Sequence, residues 1–170
     1  VNDQGAHGSG GEKETTEILA ITVIDANAVP VFTLASTALS AAENQTSVAT
    51  VTASDADGDT PTFSIVGGAD EALFNLDSST GVLTFKVAPD FEAPADVDGD
   101  KVHELTLQAT DGTDPVTQAI TVTVTDANDA PAFTLSSTEL DAVENQTSVV
   151  TVTASDADGD PPTFSIIGGA

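Results

Sequence analysis

Two near-copies of one stretch, 101 residues apart, constrain this 170-residue chain more than any other feature. Residues 32–69 read FTLASTALSAAENQTSVATVTASDADGDTPTFSIVGGA and residues 133–170 read FTLSSTELDAVENQTSVVTVTASDADGDPPTFSIIGGA; 31 of the 38 positions are identical. At the same offset ITVIDANAVPVF, residues 21–32, matches VTVTDANDAPAF, residues 122–133. A period near 100 residues is that of a domain, not of a solenoid turn. The expected organisation is the tail of one repeat over 1–25, a complete repeat over 26–126 and the head of a third over 127–170, a piece of a longer array.

Inside the complete repeat the apolar residues alternate with a period of two, which is the signature of half-buried strands. Ala49, Val51 and Ala53 share one face against Thr50 and Thr52; Phe63 alternates with Ile65; Leu105, Leu107 and Ala109 form one row, and Ile120, Val122 and Val124 another. Short strands are expected at Phe74–Leu76 and Val82–Phe85 around the turn Ser78-Ser79-Thr80-Gly81. No segment sustains a helical period. The fold class is therefore all-β: a seven-stranded Greek-key sandwich of two antiparallel sheets, repeated in tandem.

Hydrophobic residues make up 39% and mean hydropathy is +0.05, so the chain can build a core. Its charge is the more telling quantity. There are 28 Asp and Glu against 3 Lys and Arg, a formal net charge of -25. Such a chain repels phosphate backbones and anionic lipid, which argues against nucleic acid as a partner. With no cysteine there is neither a disulfide scaffold nor a thiolate metal site. Charge alone fits a solvated acidic surface as well as it fits a cation-binding one.

The acids gather in short motifs at strand ends: Glu43 in ENQ, Asp55 and Asp57 in DADGD, Asp90 and Glu92 in DFE, Asp111 in ATDG, and Asp126 and Asp129 in DANDAP. Two carboxylates roughly 4 Å apart repel by on the order of 4 kcal/mol at an effective dielectric near 20. Strand ends converging on one pole would accumulate that repulsion unless a cation sat among them. Hard oxygen donors with flexible geometry select calcium over magnesium, and nothing here offers the imidazole or thiolate set that zinc prefers.

Taken in order, ENQ, DADGD, DFE, LTLQATD and DANDAP resemble the five motifs of the cadherin repeat, and they span the complete repeat. With DFE and no cysteine the version here is more similar to the cadherin-like repeats of large secreted bacterial adhesins than to animal cadherins. The resemblance implies calcium between successive repeats, stiffening an extracellular, secreted or cell-surface array. Carried over by motif, the second joint draws on Glu43, Asp90, Glu92, Asp126, the Ala127 carbonyl, Asn128, Asp129, Asp156 and Asp158; the counterpart of Asp111 lies beyond Ala170. The first joint has Ala28 where DANDAP has Asp129, so Asn27, Asp55, Asp57 and Asp111 are expected to hold calcium more weakly there.

Three further features have plain readings. DVDGD, residues 96–100, is expected to be an exposed acidic loop, since no bidentate acid follows at EF-hand spacing. His103, where the resembled family usually has Tyr, is expected to pack at a sheet edge. Residues 4–13, QGAHGSGGEK, read as a long hairpin loop containing His7 rather than a phosphate-binding loop. No nucleophile–base pairing suggests an enzyme. A structural, adhesive spacer, whose partners are calcium, adjacent repeats and other cell-surface proteins or polysaccharide, stands against a module that itself recognises carbohydrate or its own kind. The second needs an exposed aromatic platform, and the chain has only 7 Phe and no Trp or Tyr.

Overall fold

Period-two alternation becomes two packed sheets in the structure, a computed structural model that describes residues 17–169. The expected hairpin loop over 4–13 lies outside the described residues. The strands are β1 Val31–Phe32, β2 Ala38–Ala42, β3 Ser47–Thr50, β4 Ala53–Ser54, β5 Thr62–Gly67, β6 Phe74–Leu76, β7 Val82–Phe85, β8 Val102–Thr110, β9 Pro115–Thr125, β10 Ala132–Phe133 and β11 Ala154–Ser155. One 3-10 turn, Glu71–Leu73, precedes β6. One sheet has the order β2-β9-β8-β5 and the facing sheet β3-β7-β6, seven strands in two layers.

The long hairpin β8–β9 is the spine of the larger sheet. Its register sets Leu105 opposite Ile120 and His103 opposite Val122, so the two apolar rows fall on one face. That face buries Leu105, Leu107, Ala109, Ile120, Val122 and Val124 against Val51, Phe74, Leu83 and Phe85 of the other layer. Phe74 and Phe85 pack with ring centroids 4.5 Å apart. The turn between β6 and β7 follows its sequence: Asp77 accepts the amides of Ser79 at 3.0 Å and Thr80 at 2.7 Å, the arrangement in which an Asp side chain mimics a backbone turn. Gly81 closes that turn at φ 70, where an added Cβ would collide with the Val51 carbonyl.

His103 departs from expectation. Strand β8 lies inside the sheet, between β9 and β5, and the imidazole is buried edge-on to Phe74 and Phe85, with centroids 5.5 and 5.3 Å away. The inner-face row of β8 begins two residues earlier, at His103, than its aliphatic members suggest.

One pairing breaks the antiparallel rule. Strand β2 runs parallel to β9, with Ala38 opposite Thr121 and Ala42 opposite Thr125. The residues that follow both strands are therefore delivered to the same pole.

The second copy of the repeated segment, residues 133–170, shows how far sequence alone carries burial. Strands β10 and β11 pair as β1 and β4 do, 101 residues earlier. Yet Phe164 is 52% exposed where its counterpart Phe63 is 8% exposed and packs in the core. Leu107→Ala is expected to cost about 2–5 kcal/mol by urea unfolding, through lost transfer energy and the cavity left. Ile167→Ala, at a side chain in open solvent, is expected to leave the midpoint unchanged.

Candidate metal centre at a repeat joint

The parallel β2–β9 pairing seats Glu43 beside the linker that follows Thr125, and the Glu43 amide donates to the Thr125 carbonyl at 3.0 Å. The Glu43 side chain is only 2% exposed, a position a carboxylate occupies only when it is well bonded. One oxygen accepts the Phe91 amide at 2.7 Å and the other the Ala127 amide at 2.9 Å. Glu43 thus clamps the 90–92 loop to the 126–129 linker. Asn44 continues the clamp: its amide donates to the Pro89 carbonyl at 3.0 Å and its side chain to Asp129 at 2.6 Å.

The second copy of the DADGD motif joins from the far side. The Asp129 amide donates to Asp158 at 2.5 Å, and the Asp158 amide in turn donates to Asp156 at 3.1 Å. Through these contacts one carboxylate oxygen each of Glu43, Glu92, Asp126 and Asp158 comes within 4.8 Å of the others. Glu92 and Asp126 register that crowding. Burial pushes both carboxyls above their ordinary values, and the neighbouring charges push further: Glu43, Asp158 and Asp126 on Glu92, and Asp158 and Glu43 on Asp126. Four acids drawn together from four segments form a hard, oxygen-only donor set, which fits calcium.

Other residues expected at this joint lie at its margin. Asp90 turns to its own loop and accepts the Ala93 amide at 2.9 Å. Asn128 donates to the Asp129 carbonyl at 2.7 Å, and Ala127 takes part through its amide. Asp129 and Asp156 hold Asp158 rather than entering the cluster of four.

The first joint repeats the linker contact without the cluster. The Ala28 amide donates to Asp57 at 2.6 Å, the counterpart of Asp129 to Asp158, and the Asp57 amide donates to Asp55 at 2.8 Å. The Asn27 side chain donates to Asp111 at 2.9 Å and to Asp114 at 3.1 Å. That amide, with those of Asp114 and Thr113, holds the Asp111 carboxyl below its ordinary value. Among the described residues, three or more carboxylates meet at the second joint and in the 96–100 loop, not here. Ala28 brings no carboxylate to the linker; neutral donors reach Asp57 and Asp111, while Asp55 keeps one buried oxygen, Oδ2, without a hydrogen-bond partner. Asp114 and Asn44 are the participants the motifs did not name; Asn44 stands inside ENQ and was legible there.

The loop over 96–100 is exposed as expected at residues 97–100 but not at Asp96. Asp96 is buried and accepts the Lys101 amide at 3.1 Å. Burial acts to raise its pKa, while the amides of Lys101, Asp96 and Asp100 more than offset this and leave the carboxyl below its ordinary value.

Because Glu92 and Asp126 bind their protons more tightly folded than unfolded, their contribution to stability falls as pH rises through those raised values and recovers on acidification. In chelator at neutral pH, Glu92→Gln combined with Asp126→Asn is expected to melt higher than the parent chain. Melting curves should show that difference narrowing as pH is lowered. Glu43→Ala strands two amides and is expected to cost on the order of 1–3 kcal/mol, read by denaturant unfolding in chelator.

Comparison with known proteins agrees with this architecture. A family described as Cadherin domain matches residues 35–125. Protocadherin-16 of Rattus norvegicus is 36% identical over 157 residues, covering 86% of this chain and 5% of that protein. Protocadherin Fat 4 of Mus musculus is 34% identical over 103 residues, covering 56% of this chain and 2% of that protein. The chain thus spans a small fraction of the curated relatives it matches. Among solved structures, human Protocadherin-24 EC1-2 aligns with a TM-score of 0.54 at 23% identity, covering 77% of this chain and 61% of that one, a likeness of fold.

Proposed function

The chain belongs to the cadherin family, and from that premise we propose that it is a spacer segment of an adhesive array whose acidic joint binds calcium and stiffens in doing so. Cadherin domains are typically calcium-dependent adhesive repeats of extracellular or cell-surface proteins. Among the described residues no helix is long and apolar enough to cross a membrane. The observation that carries the reading is the gathering of Glu43, Glu92 and Asp126 with Asp158, an acid of the next repeat copy. In this reading the unit boundaries fall near 25–26 and 126–127.

The residues divide the work. Glu43 locks the loop and linker together, Asp129 and Asp156 aim Asp158, and Glu92 and Asp126 present the least protected charges. Calcium would cancel the repulsion among them and bind one repeat to the next. Asn27, Asp55, Asp57 and Asp111 make the first joint a weaker calcium site and a softer hinge. A long surface adhesin of the secreted bacterial kind suits a cysteine-free chain carrying DFE at 90–92. Direct recognition of polysaccharide has less support: in the central unit Phe63, Phe74 and Phe85 are buried and Phe32 and Phe91 are half-buried against the core, so it presents no fully exposed aromatic ring.

Calorimetric titration with calcium, paired with small-angle scattering in calcium and in chelator, tests this. Saturable binding with a more extended, stiffer particle is expected, and calcium at about one hundred times its dissociation constant adds about 2.7 kcal/mol of stability. Asp158→Ala and Asp129→Ala should weaken binding and restore flexibility. No heat at millimolar calcium would leave the acids merely solvated and sink the proposal.

A further inference from the structure

The loop after the 3-10 turn and β7 carries a second gathering of acids that the joint does not use. Carboxylate oxygens of Asp96, Asp98 and Asp100 lie within 4.8 Å of one another, and none of the three belongs to the cluster at Glu43. Exposed acids at this spacing are common and would carry no argument alone. Asp96 is different in kind. It is 8% exposed, and while Oδ2 accepts the Lys101 amide at 3.1 Å, Oδ1 is buried without any hydrogen-bond partner. A buried, anionic oxygen with no hydrogen-bond partner is costly unless something positive completes it. The nearby His103 favours the charge but makes no hydrogen bond to it, its own buried Nδ1 being equally without a partner. The ammonium of Lys101, the cation adjacent in sequence, does not serve; it lies over the Phe91 ring, 3.3 Å from the centroid.

The loop is also fixed in place. The buried Asp70 accepts the Val97 amide and the Glu104 amide, each at 2.9 Å, and the Lys101 carbonyl accepts the Val124 amide at 2.9 Å. Asp98 and Asp100 remain exposed, so an ion has a path in and water can fill the coordination that three carboxylates leave open. We propose that Asp96, Asp98 and Asp100 form a calcium site internal to the repeat, separate from the inter-repeat joint. It staples the segment that leads from Glu92 to the start of β8.

The test uses the intact chain and calcium alone. In nitrogen-15 NMR titrations the amides of residues 97–101 are expected to shift on calcium addition, and to keep shifting in Asp158→Ala, which disables the joint. By calorimetry, Asp98→Asn combined with Asp100→Asn is expected to bind one ion fewer than the parent chain. Both substituted residues are exposed, and Asn can retain the 2.8 Å bond that Asp100 accepts from the Val102 amide, so folding is not at issue. Unmoved 97–101 amides in the parent chain would overturn the site, as would their silence in Asp158→Ala or an unchanged stoichiometry in the loop variant. Failure of the joint reading looks different: the 126–129 amides stay still while those of 97–101 move.

Discussion

Like charges are held together at the joint by backbone amides, and the rest of the arrangement depends on that. Glu43 tolerates burial because two N–H groups, from Phe91 and Ala127, address its two oxygens. Those same bonds draw Glu92 and Asp126 toward it, into a repulsion that burial worsens. The hydrogen bonds are local and the repulsion is shared, so the pole is pre-assembled around a deficit of positive charge. A site of this kind needs little reorganisation when a cation arrives, because the ordering of its donors is already met by the fold.

What permits the pre-assembly is the parallel pairing of β2 with β9. Antiparallel pairing would send the ends of these strands to opposite poles and part Glu43 from Asp126. In the parallel arrangement an early strand and a late one terminate side by side, and the first acid motif meets the last. The 90–92 loop and the head of the next repeat then close on them from either side.

Much of this was legible in the amino-acid order. The alternating rows of β8 and β9, the β6–β7 hairpin and its Asp77 turn follow from period and turn chemistry. Strand β2 gave a weak signal, since Ala-Leu-Ser-Ala-Ala has one large side chain and no β-branched residue; it is a strand because β9 offers it an edge. The motifs named the acids of the joint but could not rank them, because which carboxylate enters the cluster depends on hydrogen bonds across 29 to 85 residues. Asp96 was misread for a related reason. DVDGD has the composition of an open loop, and only the structure, with Asp70 anchoring Val97, reveals that its first Asp turns inward while the rest stays exposed.

The parallel pair has a mechanical side as well. In a chain of such units under tension, load enters ahead of β2 and leaves beyond Thr125, dragging the two strands in opposite directions along their shared length. The five paired positions from Ala38–Thr121 to Ala42–Thr125 are then sheared together rather than peeled one at a time. Glu43, bonded to Ala127 just past the last pair, adds a further anchor in the line of pull. The geometry that gathers acids at one pole thus also sets β2 and β9 in shear when the unit is pulled from its two ends.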